Sequence, residues 1–112
     1  MYIFESKDIL LEIPVDNILY ITSSEKPHQV KIVTTDKEYF VYETLKSFEK
    51  SYNIFVKCHK STIVNIKQIS KVNRDSKEII FKTDIHSIAY SRREYRNLIA
   101  SWKNSILPKK MI

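Results

Sequence analysis

The segment 59–65 carries a histidine, a lysine, two hydroxyls and an amide: His59-Lys60-Ser61-Thr62-Ile63-Val64-Asn65. Such groups can bond phosphate oxygens or the edges of nucleic-acid bases. The same residues allow purely structural roles, because asparagine often caps a helix or a turn and a histidine can be buried and hydrogen-bonded. We expect this segment to be a connection that follows a strand, and at this point both kinds of role stay open.

The segment 90–104 predicts a helix whose first turn carries two arginines. Ser91 and Glu94 fit the N-cap and N3 positions of a capping box, and Tyr90 and Tyr95 fit a hydrophobic staple. An apolar stripe follows at helical spacing: Tyr95, Leu98, Ile99 and Trp102. Arg92 and Arg93 lie at the positive end of the helix dipole, which is mildly unfavourable. Phosphate binding at the helix N-terminus and a tolerated charged surface both account for them.

A third polar segment, residues 24–29, separates two predicted strands and contains His28. Loops held by rigid strands often carry binding residues. His28 is therefore a candidate contact residue, and an ordinary exposed histidine is the alternative.

The sequence does not predict a catalytic or metal site. The histidines, His28, His59 and His86, lack the spacing of metal ligands. Cys58 and His59 are neighbours on an expected strand, so their side chains should point to opposite faces. The chain has no glycine, which removes the glycine-rich phosphate loops of nucleotide-binding folds. We expect no enzyme activity, no metal and no cofactor.

The composition predicts one cytoplasmic domain. The chain has 112 residues, 43% of them hydrophobic, which suffices for one modest core. No apolar run approaches the ~20 residues of a membrane span, and the N-terminus lacks the pattern of a signal peptide. With one cysteine the chain cannot form an intrachain disulfide.

The positive charge is concentrated in the second half of the chain. Residues 1–56 carry a net charge of −3 and residues 57–112 a net charge of +9, which together give the formal +6. This distribution suggests an anionic partner bound mainly by the second half. A generally lysine-rich composition is the alternative explanation.

Most of the chain predicts short strands, at 9–13, 18–21, 30–33, 38–41, 54–56, 69–72, 78–81 and 87–90. β-branched and aromatic residues dominate these runs, as strands prefer. Helical spacing is restricted to a short helix near 44–52, with Thr44 as its N-cap, and to a C-terminal helix near 92–104. The expected fold is mainly β.

Three segments in register resemble the LytTR family of DNA-binding domains. The stretch 55–69, Phe55-Val56-Lys57-Cys58-His59-Lys60-Ser61-Thr62-Ile63-Val64-Asn65-Ile66-Lys67-Gln68-Ile69, is similar to its central signature. The segments 18–21 and 90–95 match the flanking blocks in order and rough spacing. The resemblance covers about residues 8–104. Cys58-His59 and the lysine-rich setting are most similar to quorum-sensing response regulators of the AgrA type.

The resemblance implies a compact arrangement of short, mostly antiparallel strands in small sheets, with loops rather than a recognition helix entering DNA. Carried onto this chain, His28 would read a base edge and Asn65 would lie at the DNA between two grooves. Arg93 would enter the second major groove, or Arg92 if the register shifts by one. The phosphate contacts would come from Lys60, Ser61, Lys67 and Arg96.

Family members commonly bind direct repeats as two protomers and bend the site. The implied function is therefore sequence-specific binding of promoter DNA for transcription regulation, with a second protomer as partner. Many members carry a receiver domain ahead of this module. We expect residues 1–112 to be a single DNA-binding domain with a flexible tail at 105–112, either a stand-alone regulator or a fragment of a response regulator. An RNA or single-strand binding module and a basic protein-interaction module are the alternatives.

Overall fold

The structure is a computed structural model that describes residues 2–5, 8–83 and 87–106. The strands in these ranges are β1 (Tyr2–Glu5), β2 (Leu10–Ile13), β3 (Ile18–Ser23), β4 (Val30–Thr34), β5 (Glu38–Val41), β6 (Phe55–His59), β7 (Thr62–Asn65), β8 (Ile69–Asn73), β9 (Glu78–Phe81) and β10 (Ser87–Ala89). The α-helices are α1 (Leu45–Ser51) and α2 (Arg92–Ile106), and short 3-10 helices occupy Val15–Asn17 and Ile66–Gln68.

The centre of the fold is a five-stranded antiparallel sheet with the strand order β5-β4-β3-β7-β6. Two smaller antiparallel sheets accompany it, the hairpin β1-β2 and the three-stranded sheet β10-β9-β8. β3 and β7 lie in the interior of the large sheet, and their apolar residues are buried on both faces. Burial on both faces explains why the sequence of β3 is a continuous apolar run.

The first face of the central sheet is covered by the β1-β2 hairpin and by α1. Phe48 of α1 is buried against it, with its ring 5.1 Å from that of Tyr2 and 6.3 Å from that of Phe55. Thr44 caps α1, because its hydroxyl accepts a hydrogen bond from the Ser47 N–H at 3.1 Å. This confirms the predicted helix and its N-cap.

The second face is covered by the three-stranded sheet and by α2. Leu98 of α2, Phe81 of β9 and Val64 of β7 are fully buried in this second cluster. The Phe81 ring stacks on Tyr20 of β3 with 5.9 Å between the ring centres. The sequence-predicted apolar stripe of α2 is therefore the surface that attaches this helix to the sheet.

The mainly β fold with small antiparallel sheets is confirmed, and eight of its strands lie where the sequence predicted them. Two strands were not predicted. The first is β1, whose residues are half-buried or exposed. The second is β7, a central strand whose polar residues gave the segment 59–65 the pattern of a connection. α2 ends at Ile106, two residues later than predicted. The rest of the predicted tail, 107–112, and His86 lie outside the described residues.

Membrane-spanning helices and clusters of metal ligands are both absent from the described residues. None of the helices in the described ranges has the length and apolar character needed to cross a membrane. Within the same ranges, His, Cys, Asp and Glu side chains do not form a group of three or more that could hold a metal ion.

Candidate functional site

The antiparallel strand order gathers two polar connections at one edge of the central sheet. The loop 24–29 joins β3 to β4, and the turn at Lys60 and Ser61 joins β6 to β7. Thr22, near the end of β3, is paired with Thr62, and Thr62 is paired in turn with His59 at the end of β6. The predicted site residues His28 and Lys60 are therefore carried by neighbouring connections, although 32 positions of chain separate them.

Hydrogen bonds hold the two connections together. The carbonyl oxygen of Ser61 accepts one bond from the Ser23 N–H and another from the Thr22 hydroxyl, each at 3.0 Å. The hydroxyls of Thr22 and Thr62 lie 2.9 Å apart. The hydroxyl pair explains the threonine at position 62, whereas Ser61 contributes its backbone carbonyl and leaves its side chain for another role.

The loop 24–29 is closed by its own hydrogen bonds and exposes His28. The Ser24 N–H donates to the Gln29 carbonyl at 3.0 Å, and the Ser24 hydroxyl donates to the Gln29 side-chain oxygen at 2.7 Å. His28 has a φ of 59°, in the left-handed region that is uncommon for residues other than glycine. The loop therefore holds an exposed imidazole at its tip in a fixed backbone conformation.

The first turn of α2 lies beside the same edge of the sheet. The Ser91 N–H, just before the helix, donates to the carbonyl oxygen of Cys58 on β6 at 2.9 Å. Tyr90 is buried, and its ring lies 5.3 Å from that of Tyr95, which confirms the predicted staple. Arg92 and Arg93 start the helix at this point, and both are exposed.

The cations of these segments have no carboxylate partner. Among the residues that the structure describes, the one ion pair joins Lys31 to Glu38 at 3.7 Å. The exposed cations Lys60, Arg92, Arg93 and Arg96 therefore lie more than 4.0 Å from every described carboxylate. Their charge is compensated only by solvent and mobile ions, so an anion that binds here would displace those ions.

Asn65 occupies a different place from the one predicted. Its side chain is fully buried at the far end of β7, and its amide donates to the carbonyl oxygen of Ile18 at 2.9 Å. Its side-chain oxygen accepts from the Lys67 N–H at 3.0 Å, which caps the 3-10 helix Ile66–Gln68. A base contact by Asn65 does not fit this geometry, because its polar atoms are already bonded inside the protein. The capping role considered from the sequence is the one that it has.

Lys67 is exposed and belongs to the 3-10 helix that Asn65 caps, directly after β7. β7 rises about 3.3 Å per residue, so Thr62 and Asn65 lie about 10 Å apart along it. Lys67 therefore lies at the end of β7 opposite to Lys60 and Ser61. The structure brings together the segments that carry His28, Lys60, Ser61, Arg92 and Arg93, and it separates Asn65 and Lys67 from them.

Sequence reasoning missed two basic residues at this edge, Arg74 and Lys77. They belong to the turn between β8 and β9, whose Lys77 carbonyl accepts a hydrogen bond from the Tyr90 N–H at 3.1 Å. The sequence does mark 73–76 as a turn. Two cations within four residues of a turn, in the basic half of the chain, were the signal that could have marked Arg74 and Lys77 as candidate binding residues.

Cys58 is a core residue in the middle of this arrangement. Its side chain is fully buried, and the thiol donates to the Thr62 carbonyl at 3.6 Å. Burial raises the pKa of the Cys58 thiol to about 12. Thiolate is the reactive form of cysteine, so the folded protein holds this thiol in its unreactive state.

Comparison with known proteins gives one family and one related fold. The family model of the LytTr DNA-binding domain matches residues 8–103. Among solved structures, a LytTr DNA-binding domain from Bacillus cereus, in a protein named as a response regulator, is 19% identical and has a TM-score of 0.70. The similarity covers 88% of this chain and 94% of that chain, and it shows a shared fold. A search of curated proteins finds no match to the sequence.

The buried amide predicts a structural effect for the Asn65→Ala substitution. Loss of the amide leaves the Ile18 carbonyl and the Lys67 N–H without their partners, and each such group costs about 1–3 kcal/mol. We expect the free energy of unfolding, measured by urea denaturation, to fall by about 2 kcal/mol or more. The control Asn97→Ala, at an exposed position of α2, should change it by no more than about 0.5 kcal/mol. Unchanged stability in Asn65→Ala would contradict the capping role.

The thiol pKa predicts slow alkylation of the folded protein. With a pKa of about 12 instead of 9.0, Cys58 should react with iodoacetamide at pH 8 roughly a thousandfold more slowly in the folded chain than in urea. Because the thiol ionises first in the unfolded chain, the contribution of Cys58 to stability should be constant below pH 9 and fall as the pH rises towards 12. Rapid labelling of the folded protein, followed by mass spectrometry, would disprove this assignment.

Proposed function

Since the chain belongs to the family of LytTr DNA-binding domains, we propose that it binds double-stranded DNA sequence-specifically and regulates transcription. The observation that carries this proposal is a row of three segments at one edge of the central sheet: the loop 24–29, the β6–β7 turn and the first turn of α2. Hydrogen bonds join these segments to the ends of β3 and β6, and their exposed cations have no carboxylate partner among the described residues. DNA carries one negative charge per about 1.7 Å of helix axis, and neutralising its phosphates releases condensed counterions. The proposed function involves no catalysis and no cofactor.

Each segment has a proposed role that follows from its side chains. His28, exposed at the tip of a closed loop, reads a base edge in one major groove. Arg93 reads a base in the next major groove, or Arg92 does so if the register of the family resemblance shifts by one position. A guanidinium can donate two hydrogen bonds to guanine, which makes arginine the most common specific contact in DNA interfaces.

The remaining polar groups of the row are proposed to bind phosphates. Lys60 and Ser61 lie on the β6–β7 turn between the two base-reading segments, and Arg96 follows one helical turn after Arg92. Phosphate contacts fix the register of a protein on the duplex without reading its sequence. Asn65 and Lys67 are left out of this set, since both lie at the other end of β7.

The finer features of the proposal concern the assembly on DNA. We propose that two protomers bind a direct repeat and bend the site, in the cytoplasm of a bacterial cell. A receiver domain in the same regulator, or in a partner, would supply the signal, with quorum sensing as the proposed context. Duplex DNA is favoured over single strands because most aromatic residues, Phe48, Phe55 and Phe81 among them, are buried or half-buried, and the exposed rings available for base stacking are Phe40 and Tyr42 alone among the described residues.

Selection from a random pool tests the function directly. The protein would be incubated at about 150 mM salt with random duplex DNA, random single-stranded DNA and random RNA. We expect enrichment of duplexes that contain a spaced direct repeat, with each wrong base pair costing about 1–3 kcal/mol. Enrichment of a single-stranded sequence would favour the alternative of an RNA or single-strand binder. Failure to enrich any pool would contradict nucleic-acid binding.

Substitution of single cations separates base reading from phosphate binding. Arg93→Ala should cost about 1–3 kcal/mol of binding free energy and relax the preference at one base pair. Lys60→Gln should weaken all duplexes equally and reduce the slope of log Kobs against log salt by about 0.9. Lys50→Gln is the matched control, because Lys50 is an exposed lysine of α1 that lies on the other face of the sheet. Equal weakening of all sequences by Arg93→Ala would disprove its base-reading role.

A further inference from the structure

The turn between β8 and β9 and the first turn of α2 border one small depression. Its walls are Arg74, Lys77, Tyr90, Arg92 and Tyr95, and its volume is about 200 Å³. The hydrogen bond from the Tyr90 N–H to the Lys77 carbonyl holds the two turns together. Three cations from two separate parts of the chain therefore surround one opening.

The floor of the depression is formed by the two tyrosine rings. Tyr90 is buried and Tyr95 is half-buried, with 5.3 Å between their ring centres. Burial raises the pKa of the Tyr90 hydroxyl, Tyr95 adds to this, and the positive charge of Arg74 opposes it. The Arg74 charge therefore lies near the Tyr90 hydroxyl. The depression thus combines three cations with two aromatic rings.

The β8–β9 turn has a fixed conformation. The side-chain oxygen of Asn73 accepts hydrogen bonds from the N–H groups of Asp75 and Ser76, at 2.9 and 3.1 Å. Lys77 has a φ of 56°, in the left-handed region, which costs a residue other than glycine roughly 1–2 kcal/mol. The turn therefore holds the backbone that carries its two cations in place before any ligand arrives, so little backbone ordering is needed on binding.

The charges of this cluster are not neutralised within the protein. Arg74 and Arg92 are exposed and Lys77 is half-buried. In the ranges 2–5, 8–83 and 87–106, carboxylates do not come within 4.0 Å of any of the three. Cations held close together without a carboxylate repel one another, and an anion with several oxygens removes that repulsion.

We infer that Arg74 and Lys77, together with Arg92, bind a phosphate group of the DNA backbone, so that the β8–β9 turn is a fourth DNA-contacting segment. The inference rests on the proposed function and extends it. The first turn of α2 lies between two neighbours. The Ser91 N–H bonds the Cys58 carbonyl of β6 on one side, and the Tyr90 N–H bonds the Lys77 carbonyl of the β8–β9 turn on the other. The turn therefore lengthens the row of binding segments beyond α2, on the side away from the loop 24–29.

The salt dependence of binding tests this inference. The double variant Arg74→Gln, Lys77→Gln should lower the slope of log Kobs against log salt by about 0.9, the value for one phosphate, and leave the order of preferred sequences unchanged. The control Lys37→Gln, Lys50→Gln removes the same charge from exposed positions towards the other end of the central sheet and should keep the slope of the parent protein. Arg74→Lys retains the charge and should also keep the slope. Circular dichroism and urea denaturation of each variant confirm that it is folded.

Neutral phosphates in the duplex locate the contact. Methylphosphonates would replace single phosphates one at a time in the selected duplex. We expect one methylphosphonate, at the flank of the binding site, to lower the affinity of the parent protein several-fold. The same replacement should cause almost no further loss of affinity in the variant Arg74→Gln, Lys77→Gln, which already lacks the contact. Equal losses for both proteins at every position would overturn the inference, even if the parent binds DNA specifically. Failure of the parent to bind any duplex would instead refute the proposed function.

Inorganic phosphate distinguishes a backbone phosphate from a free one. We expect NMR resonances of the segment 74–77 to shift with the selected duplex and not with 10 mM inorganic phosphate added alone, because the open cluster needs the neighbouring contacts to retain its ligand. Saturable shifts with phosphate alone, without a methylphosphonate effect, would assign the cluster to a free anion and overturn the inference.

Discussion

The central sheet is covered on both faces, and this single constraint determines where the protein can meet a partner. α1 and the β1-β2 hairpin pack on one face, and α2 and the three-stranded sheet pack on the other. Most side chains within β3 and β7 are therefore buried, and the more exposed polar groups lie at the ends of these strands. Antiparallel order then brings the end of β3 and the β6–β7 turn to one edge. The candidate interface is a consequence of how the core is closed.

The elements that could be predicted from the sequence are those whose pattern is set by local burial. α2 has an apolar stripe at helical spacing, and β5 has the bounds that its four residues predict. β7 could not be recognised, because two of its four residues are polar for reasons that lie elsewhere in the chain. Thr62 meets Thr22 across the sheet, and Asn65 bonds the Ile18 carbonyl, 47 positions away. Residue types alone do not reveal such distant partners.

The same limit explains which of the predicted site residues lie at this edge of the sheet. His28 and Arg93 are exposed on a loop and a helix start, where local sequence and family resemblance indicate the same location. The family resemblance implies an interface position for Asn65, and an amide can bond a base as well as a backbone group. Its burial decides between the two roles, and burial depends on the packing of β3 and the 3-10 helix. Arg74 and Lys77 joined the site only through the bond between Tyr90 and Lys77, a contact between distant segments.

The absence of glycine gives this edge of the protein one further property. Two described residues have positive φ, His28 at 59° and Lys77 at 56°, and both belong to connections of the row of binding segments. Glycine would adopt this conformation without strain but would leave the tip of the connection without a side chain. Here each tip accepts a backbone cost of roughly 1–2 kcal/mol and keeps an imidazole or an ammonium group. Strain of this kind persists where surrounding bonds enforce it, as the Ser24–Gln29 and Tyr90–Lys77 bonds do. The connections are therefore rigid supports that hold polar groups outward, and this rigidity reduces the entropy lost when a partner binds.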